Sequence, residues 1–207
     1  FTITYTGTTG GGGKGYRFDF NGAANDTTAN FIGVRGTQTF STTKGYGWSS
    51  AVGEFERTTA SVLAKGVTAS QAPLYRDGAA GSGSGTFRVS VSAGETNLAA
   101  RIYVGDSYKN WPYLVLNVEG NTGSPLSLNT AATPFGAYVL TGKDANNDGV
   151  WDVTVSSSTN GTWVVNGIDV ASTRRRPAVS ARRPPSTNPI DAGVAVVSVK
   201  IEIAAAL

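Results

Sequence analysis

In the stretch TGKDANNDGVWDVTV, residues 141–155, Asp144, Asn146, Asp148 and Asp152 fall at positions 1, 3, 5 and 9 of a loop, with Gly149 at position 6 and the Val150 carbonyl at position 7. Alternate oxygen donors folded inward by a tight glycine turn make the pattern that grips a Ca2+ ion. Position 12, where a bidentate Glu would complete the shell, holds Val155, and strand-like residues follow instead of a helix. The competing reading is an Asn/Asp-rich hairpin turn in which NDG supplies left-handed residues. Three carboxylates within nine residues repel one another without a cation, so the spacing predicts a structural Ca2+ held by Asp144, Asn146, Asp148, Val150 and Asp152.

Aromatic residues offer a second chemistry. GYGW (45–48) and SYKNWPY (107–113) place Tyr46, Trp48, Tyr108, Trp111 and Tyr113 among turn-like, polar neighbours. Sugar rings have apolar faces that stack on such side chains while acids, amides and arginines read the hydroxyls. Trp48, Trp111 and Tyr113 are therefore candidate ligand-binding residues, with Arg76 and Asp77 of LYRDG and Asp106 of VGDSY as polar partners. For any one of these rings, packing over a strand edge or the end of the fold is the competing role.

Other reactive arrangements fail on composition. The chain has no Cys, no Met and no His among its 207 residues. Without imidazole the usual general base is missing, and the Gly-Asp-Ser of VGDSY cannot form an esterase triad, because Ser107 has no His to activate it. TGGGGKGY misses the phosphate-loop pattern at Thr8 and Gly15 and reads as a flexible linker. A glycosidase needs only two carboxylates, but three of the 14 acidic residues belong to the calcium loop and no other pair stands out. The expectation is a protein that is not an enzyme.

The elements that must position these residues are strands. In TFRVSVS, Phe87, Val89 and Val91 alternate with Arg88, Ser90 and Ser92; in YLVLNVEG, Leu114, Leu116 and Val118 alternate with polar or smaller neighbours. YRFDF (16–20), LAARIYV (98–104), GAYVL (136–140), VWDVTV (150–155) and TWVVNGIDV (162–170) read similarly. No 3.6-residue period is sustained, and 27 Gly disfavour helices longer than a turn or two. The chain is expected to be all-β, an antiparallel β-sandwich of jelly-roll type, with extra strands at both termini.

Four segments result: an N-terminal strand and Gly-rich linker at 1–15, a β-sandwich domain at 16–171, an Arg/Pro-rich linker at 172–189 and a C-terminal strand at 190–207. In the last, GVAVVSVKIEI places Ala195, Val197, Val199, Ile201 and Ile203 on one face. Five of the 17 basic residues lie between Arg174 and Arg183, leaving 12 basic against 14 acidic residues, a net of −2. The pI near 9.2 therefore describes the linker, and no nucleic-acid face is expected on the domain. No run approaches the ~20 apolar residues of a membrane span. A chain beginning at Phe1 suggests a processed protein, extracellular or at the cell surface. Asn25 (NDT) and Asn160 (NGT) are candidate N-glycosylation sites.

The succession YRFDFNG, GYGW, YRDG, FRVSVSAGETNLAARIYVGD and WVVNGIDV resembles the galactose-binding-like β-sandwich modules attached to polysaccharide lyases, agarases and related esterases, over residues 16–170. The resemblance implies a non-catalytic jelly roll, often calcium-stabilised and associated with polysaccharide or glycan. Family members often carry His after the Gly-Asp; Lys109, Asn110 and Trp111 follow it here. A second function fits the flanks: a self-assembling structural subunit of an extracellular filament or surface layer, a homo-oligomer or polymer linked by exchange of terminal strands.

Overall fold

The structure, a computed structural model, describes residues 15–22 and 27–172. The expected terminal strands, the Arg/Pro linker beyond Ser172 and the Asn25 sequon lie outside the described residues.

Thirteen strands and two helical turns follow in order: β1 (Tyr16–Asn21), β2 (Ile32–Arg35), β3 (Tyr46–Trp48), β4 (Gly53–Glu56), α1 (Thr59–Leu63), α2 (Ala72–Tyr75), β5 (Asp77–Ser82), β6 (Ser84–Ser90), β7 (Leu98–Gly105), β8 (Leu114–Val118), β9 (Leu126–Leu128), β10 (Phe135–Gly142), β11 (Val150–Ser157), β12 (Thr162–Val165) and β13 (Gly167–Ser172). One five-stranded sheet runs β10-β7-β13-β1-β2, a second runs β3-β6-β11-β8-β9, and a small third runs β12-β5-β4. All pairings are antiparallel except β1 with β2. The all-β sandwich expected from the alternation is what forms.

Period-two burial explains the layers. On β11 Trp151, Val153 and Val155 are buried while Asp152 and Thr154 are not, and β8 buries Leu114, Leu116 and Val118. These side chains meet Phe18, Phe20, Ile102, Val104 and Ile168 of the opposing sheet in one core cluster. Phe87 lies 4.9 Å from both Phe18 and Phe20, edge to face, which locks the two sheets in register with each other. The ring of Trp163 lies over Gly81 and Gly85, where any β-carbon would collide with the indole. Glycine at these two strand positions is thus a packing requirement.

Residues 162–170, expected as one strand, form two in different sheets. Asn166, fully buried, breaks the run: its backbone N–H donates to the Tyr103 carbonyl, and its side-chain amide donates to the Asp77 carbonyl at 2.8 Å. A side chain at Gly167 would strike the Phe18 carbonyl and Leu74, so the close approach of the chain there requires glycine. The helical turns are five and four residues long; α1 is capped by Thr58 Oγ1, which accepts the Ser61 N–H. Among the described residues no helix is long and apolar enough to cross a membrane.

Candidate functional site

The Asp144–Asp152 loop joins β10 of one five-stranded sheet to β11 of the other, so it is a crossover between sheets rather than a hairpin turn. Asn147 and Gly149 take positive φ, 63° and 76°, as the tight turn requires. Asp144 is 4% exposed, and its Oδ2 accepts N–H groups from Gly94 (2.8 Å) and Gly149 (3.0 Å). Asn146 Oδ1 accepts the Asp148 N–H, and Asp148 Oδ1 accepts the Val150 N–H. Glu119, which the spacing argument did not single out, reaches across from the end of β8: its Oε1 accepts the Ala145 and Asn146 N–H groups. Asp152 turns instead to Arg88, with Arg88 Nε 3.3 Å from Asp152 Oδ1. Burial raises the Asp152 carboxyl above its ordinary range; Arg88 opposes this, and the neighbouring Glu119 and Asp148 charges add to it.

These residues fit a Ca2+ ion in part. Asp144 Oδ1 is buried without a hydrogen-bond partner, and the side-chain oxygens of Asn146 and Asp148 retain lone pairs beyond the one bond each accepts. Against this, no three acidic side chains among the described residues converge as a metal-holding group. The residues that would hold such an ion are Asp144, Asn146, Asp148 and the Val150 carbonyl, since Asp152 is paired with Arg88.

The loop from Asp106 to Tyr113, joining β7 to β8, holds the aromatic and polar residues of the second chemistry. Asp106, 2% exposed, accepts from Arg57 in a two-point fork: Nε to Oδ1 at 2.7 Å and Nη2 to Oδ2 at 2.9 Å. Arg57 Nη1 also donates to the Glu56 carbonyl. The Asp106 hydrogen bonds keep the Arg57 guanidinium even more firmly charged than usual, outweighing the opposing effect of its burial. The guanidinium carbon sits 5.1 Å from the Phe55 ring centre and 4.8 Å from that of Tyr108. The Tyr108 N–H donates to Asp106 Oδ1, so backbone and ring are both fixed. Tyr108 is nevertheless 67% exposed and Tyr113 55%; with Leu63 they are the large apolar side chains left exposed among the described residues. Ser107, the would-be nucleophile, is buried with its hydroxyl 2.8 Å from that of Ser61.

Several expected ligand contacts lie elsewhere. Trp48 is fully buried against Phe20 and Phe87, so it is a core side chain and offers no ring face to a sugar. Trp111 is 8% exposed, and Lys109 Nζ lies 4.3 Å from its ring centre while donating to Thr162 Oγ1; it packs rather than stacks. Asp77 is fully buried, with Oδ2 accepting the Gly22 N–H at 3.0 Å. Burial pushes its carboxyl up to about 7; the Gly22 N–H and Arg76 hold it down, and the charges of Asp19 and Glu56 raise it further. Arg76, half-buried, contributes its carbonyl to the Arg57 N–H. Asp77 thus belongs to the interior with Arg76 half-buried beside it, and the Asp106 carboxylate, expected as a sugar contact, is likewise buried under Arg57; Tyr113 is the expected contact that faces solvent. Arg57 was not legible as a partner of Asp106, 49 residues away, because nothing in its local sequence marks it. Asn160 occupies the β11–β12 turn with φ 54°.

Comparison with known proteins adds a fold and no more. No family model matches the sequence, and neither does any curated protein. Among solved structures, the ANX1 ectodomain from Arabidopsis thaliana aligns with TM-score 0.54 and 12% identity, over 84% of this chain and 54% of that one. The plant receptor-like kinase FER aligns with TM-score 0.52 and 16% identity, over 77% and 42%. YxiM from Bacillus subtilis reaches 0.49 with 14% identity, over 77% and 40%. The chain therefore spans about half or less of the length of these β-rich structures.

Proposed function

We propose that the chain is a non-catalytic, extracellular β-sandwich of galactose-binding-like type that binds polysaccharide or glycan through the Asp106–Tyr113 loop. The observation that carries this reading is Tyr108: two-thirds exposed, yet clamped by Arg57, which is itself forked onto buried Asp106. A ring held rigid without being buried has already lost its side-chain freedom, so a sugar stacking on it meets little ordering cost. Tyr113 supplies a second exposed ring on the same loop, and the partly exposed Arg57 guanidinium is the polar group for sugar hydroxyls, with buried Asp106 behind it as its anchor. The likeness to plant receptor ectodomains supports an extracellular setting, and Ca2+ at Asp144, Asn146, Asp148 and the Val150 carbonyl acts as a brace for the β10–β11 connection between the sheets rather than as a reactive centre.

Affinity electrophoresis against plant, algal and microbial polysaccharides tests the reading. At least one polymer should retard the protein, and Tyr108→Ala should weaken that binding roughly tenfold, about 1.4 kcal/mol. No retardation by any of them, or a Tyr108→Ala protein that binds as well as the parent, refutes it.

A further inference from the structure

Among the described residues the two five-stranded sheets have four edge strands, and three are blunt. Strands β2, β3 and β9 are only four, three and three residues long, too short to template another chain. The fourth edge is β10, eight residues of FGAYVLTG with no charge and no proline, paired on one side with β7 over its whole length. Among the described residues no strand pairs with its other side. Leu140 is buried and Tyr138 packs on the core, while Ala137 and Thr141 are exposed. A strand laid alongside would extend both the ladder and the apolar layer.

The chain beyond Ser172 contains a segment with that pattern. In residues 193–203, Ala195, Val197, Val199, Ile201 and Ile203 alternate with Val196, Ser198, Lys200 and Glu202, an apolar face to continue the Tyr138–Leu140 layer and a more polar face for solvent. Ser172 pairs with Leu98, as does Gly142, so the last described residue sits at the Gly142 end of β10, two strands from the open edge. That is about 10 Å. The 16 residues from Arg174 to Pro189 carry four prolines and five arginines; extended, they span about 50 Å. A domain of this size is about 40 Å across. The spacer is thus five times too long for the subunit's own edge and matches the distance to the next one.

We propose that the β10 edge, Phe135–Gly142, accepts residues 193–203 of a second copy of the chain as an added strand. This stands apart from the glycan reading, since it uses none of the Asp106–Tyr113 loop. Two full-length variants separate donor from acceptor. Ala137→Lys with Thr141→Lys places charges on the edge and leaves the tail intact; Val197→Pro with Val199→Pro removes ladder donors from the tail and leaves the edge intact. By light scattering, the parent should form concentration-dependent assemblies, each variant alone should stay at 21.3 kDa, and an equal mixture should give dimers and nothing larger. Matching far-ultraviolet circular dichroism checks the fold, and the tail variant changes no described residue. A monomeric parent, which includes a tail folded onto its own edge, overturns the proposal, as does a mixture that stays monomeric or a tail variant that still assembles.

Discussion

Replacing Asp77 with Asn should make the protein less sensitive to pH and more stable at neutral and alkaline pH. Asp77 is wholly buried, its Oδ2 accepts one N–H from Gly22, and Oδ1 has no hydrogen-bond partner. Its carboxyl titrates at about 7 in the fold, against 3.8 for the ordinary group, because burial penalises the charged form. Between those values the native state holds a proton that the unfolded chain has released. The stability tied to this group is therefore complete below pH 3.8, declines as pH rises and is lost above about 7. Some three pH units at about 1.4 kcal/mol each give a loss of about 4 kcal/mol. Asn keeps an acceptor for Gly22 and carries no charge, so Asp77→Asn should erase most of that slope. Urea titrations of parent and variant from pH 4 to 8 measure it: the curves should nearly coincide at pH 4 and separate by several kcal/mol at pH 8, the variant being the more stable. A variant destabilised at pH 8 by 2 kcal/mol or more refutes the reasoning, since it would mean that the ionised carboxylate has a partner that Asn cannot replace.

Arg57→Ala strands the fully covered Asp106 carboxylate and should cost about 3 kcal/mol in chemical denaturation, whereas Tyr108→Ala, truncating an exposed ring, should cost under 1 kcal/mol. With two carboxylates in its donor set the β10–β11 loop should hold Ca2+ at about 1 mM, so 10 mM CaCl2 should add about 1.4 kcal/mol and raise Tm by about 3–5 °C over a chelated sample; Asp144→Asn should remove the increment while Asp152→Asn keeps it. Gly85→Ala forces a methyl group into the Trp163 ring and should lower stability by about 2 kcal/mol, read as a loss of Tm.

The strands were legible wherever one face is wet: the alternations in β6, β8 and β11 each reported a single buried side. β13, buried at five of its six positions, carries no such alternation, and its separation from β12 depends on Asn166 bonding to carbonyls some ninety residues away, which no local pattern encodes. The Asp144 loop was readable because its donors are consecutive in sequence. Its ties to Gly94 and Glu119 were not, because those come from loops distant in sequence. The aromatic reading located the right loop and misplaced individual rings: GYGW looks polar only because glycines let Trp48 turn into the core, with Gly47 at φ 146° pressed against the Thr39–Phe40 backbone. Trp111 rather than Tyr108 is covered because its indole joins the main core cluster, a tertiary choice.

The pairing of Tyr16 with Val170 has a consequence for biosynthesis. On a ribosome, β1 emerges first of the described strands, but its antiparallel neighbour in the sheet is the last of them to be made. For the time it takes to translate some 150 residues, Phe18 and Phe20 have no β13 beside them. Closure so remote along the chain makes folding slow, and nascent chains halted before Gly167 should need a holding chaperone.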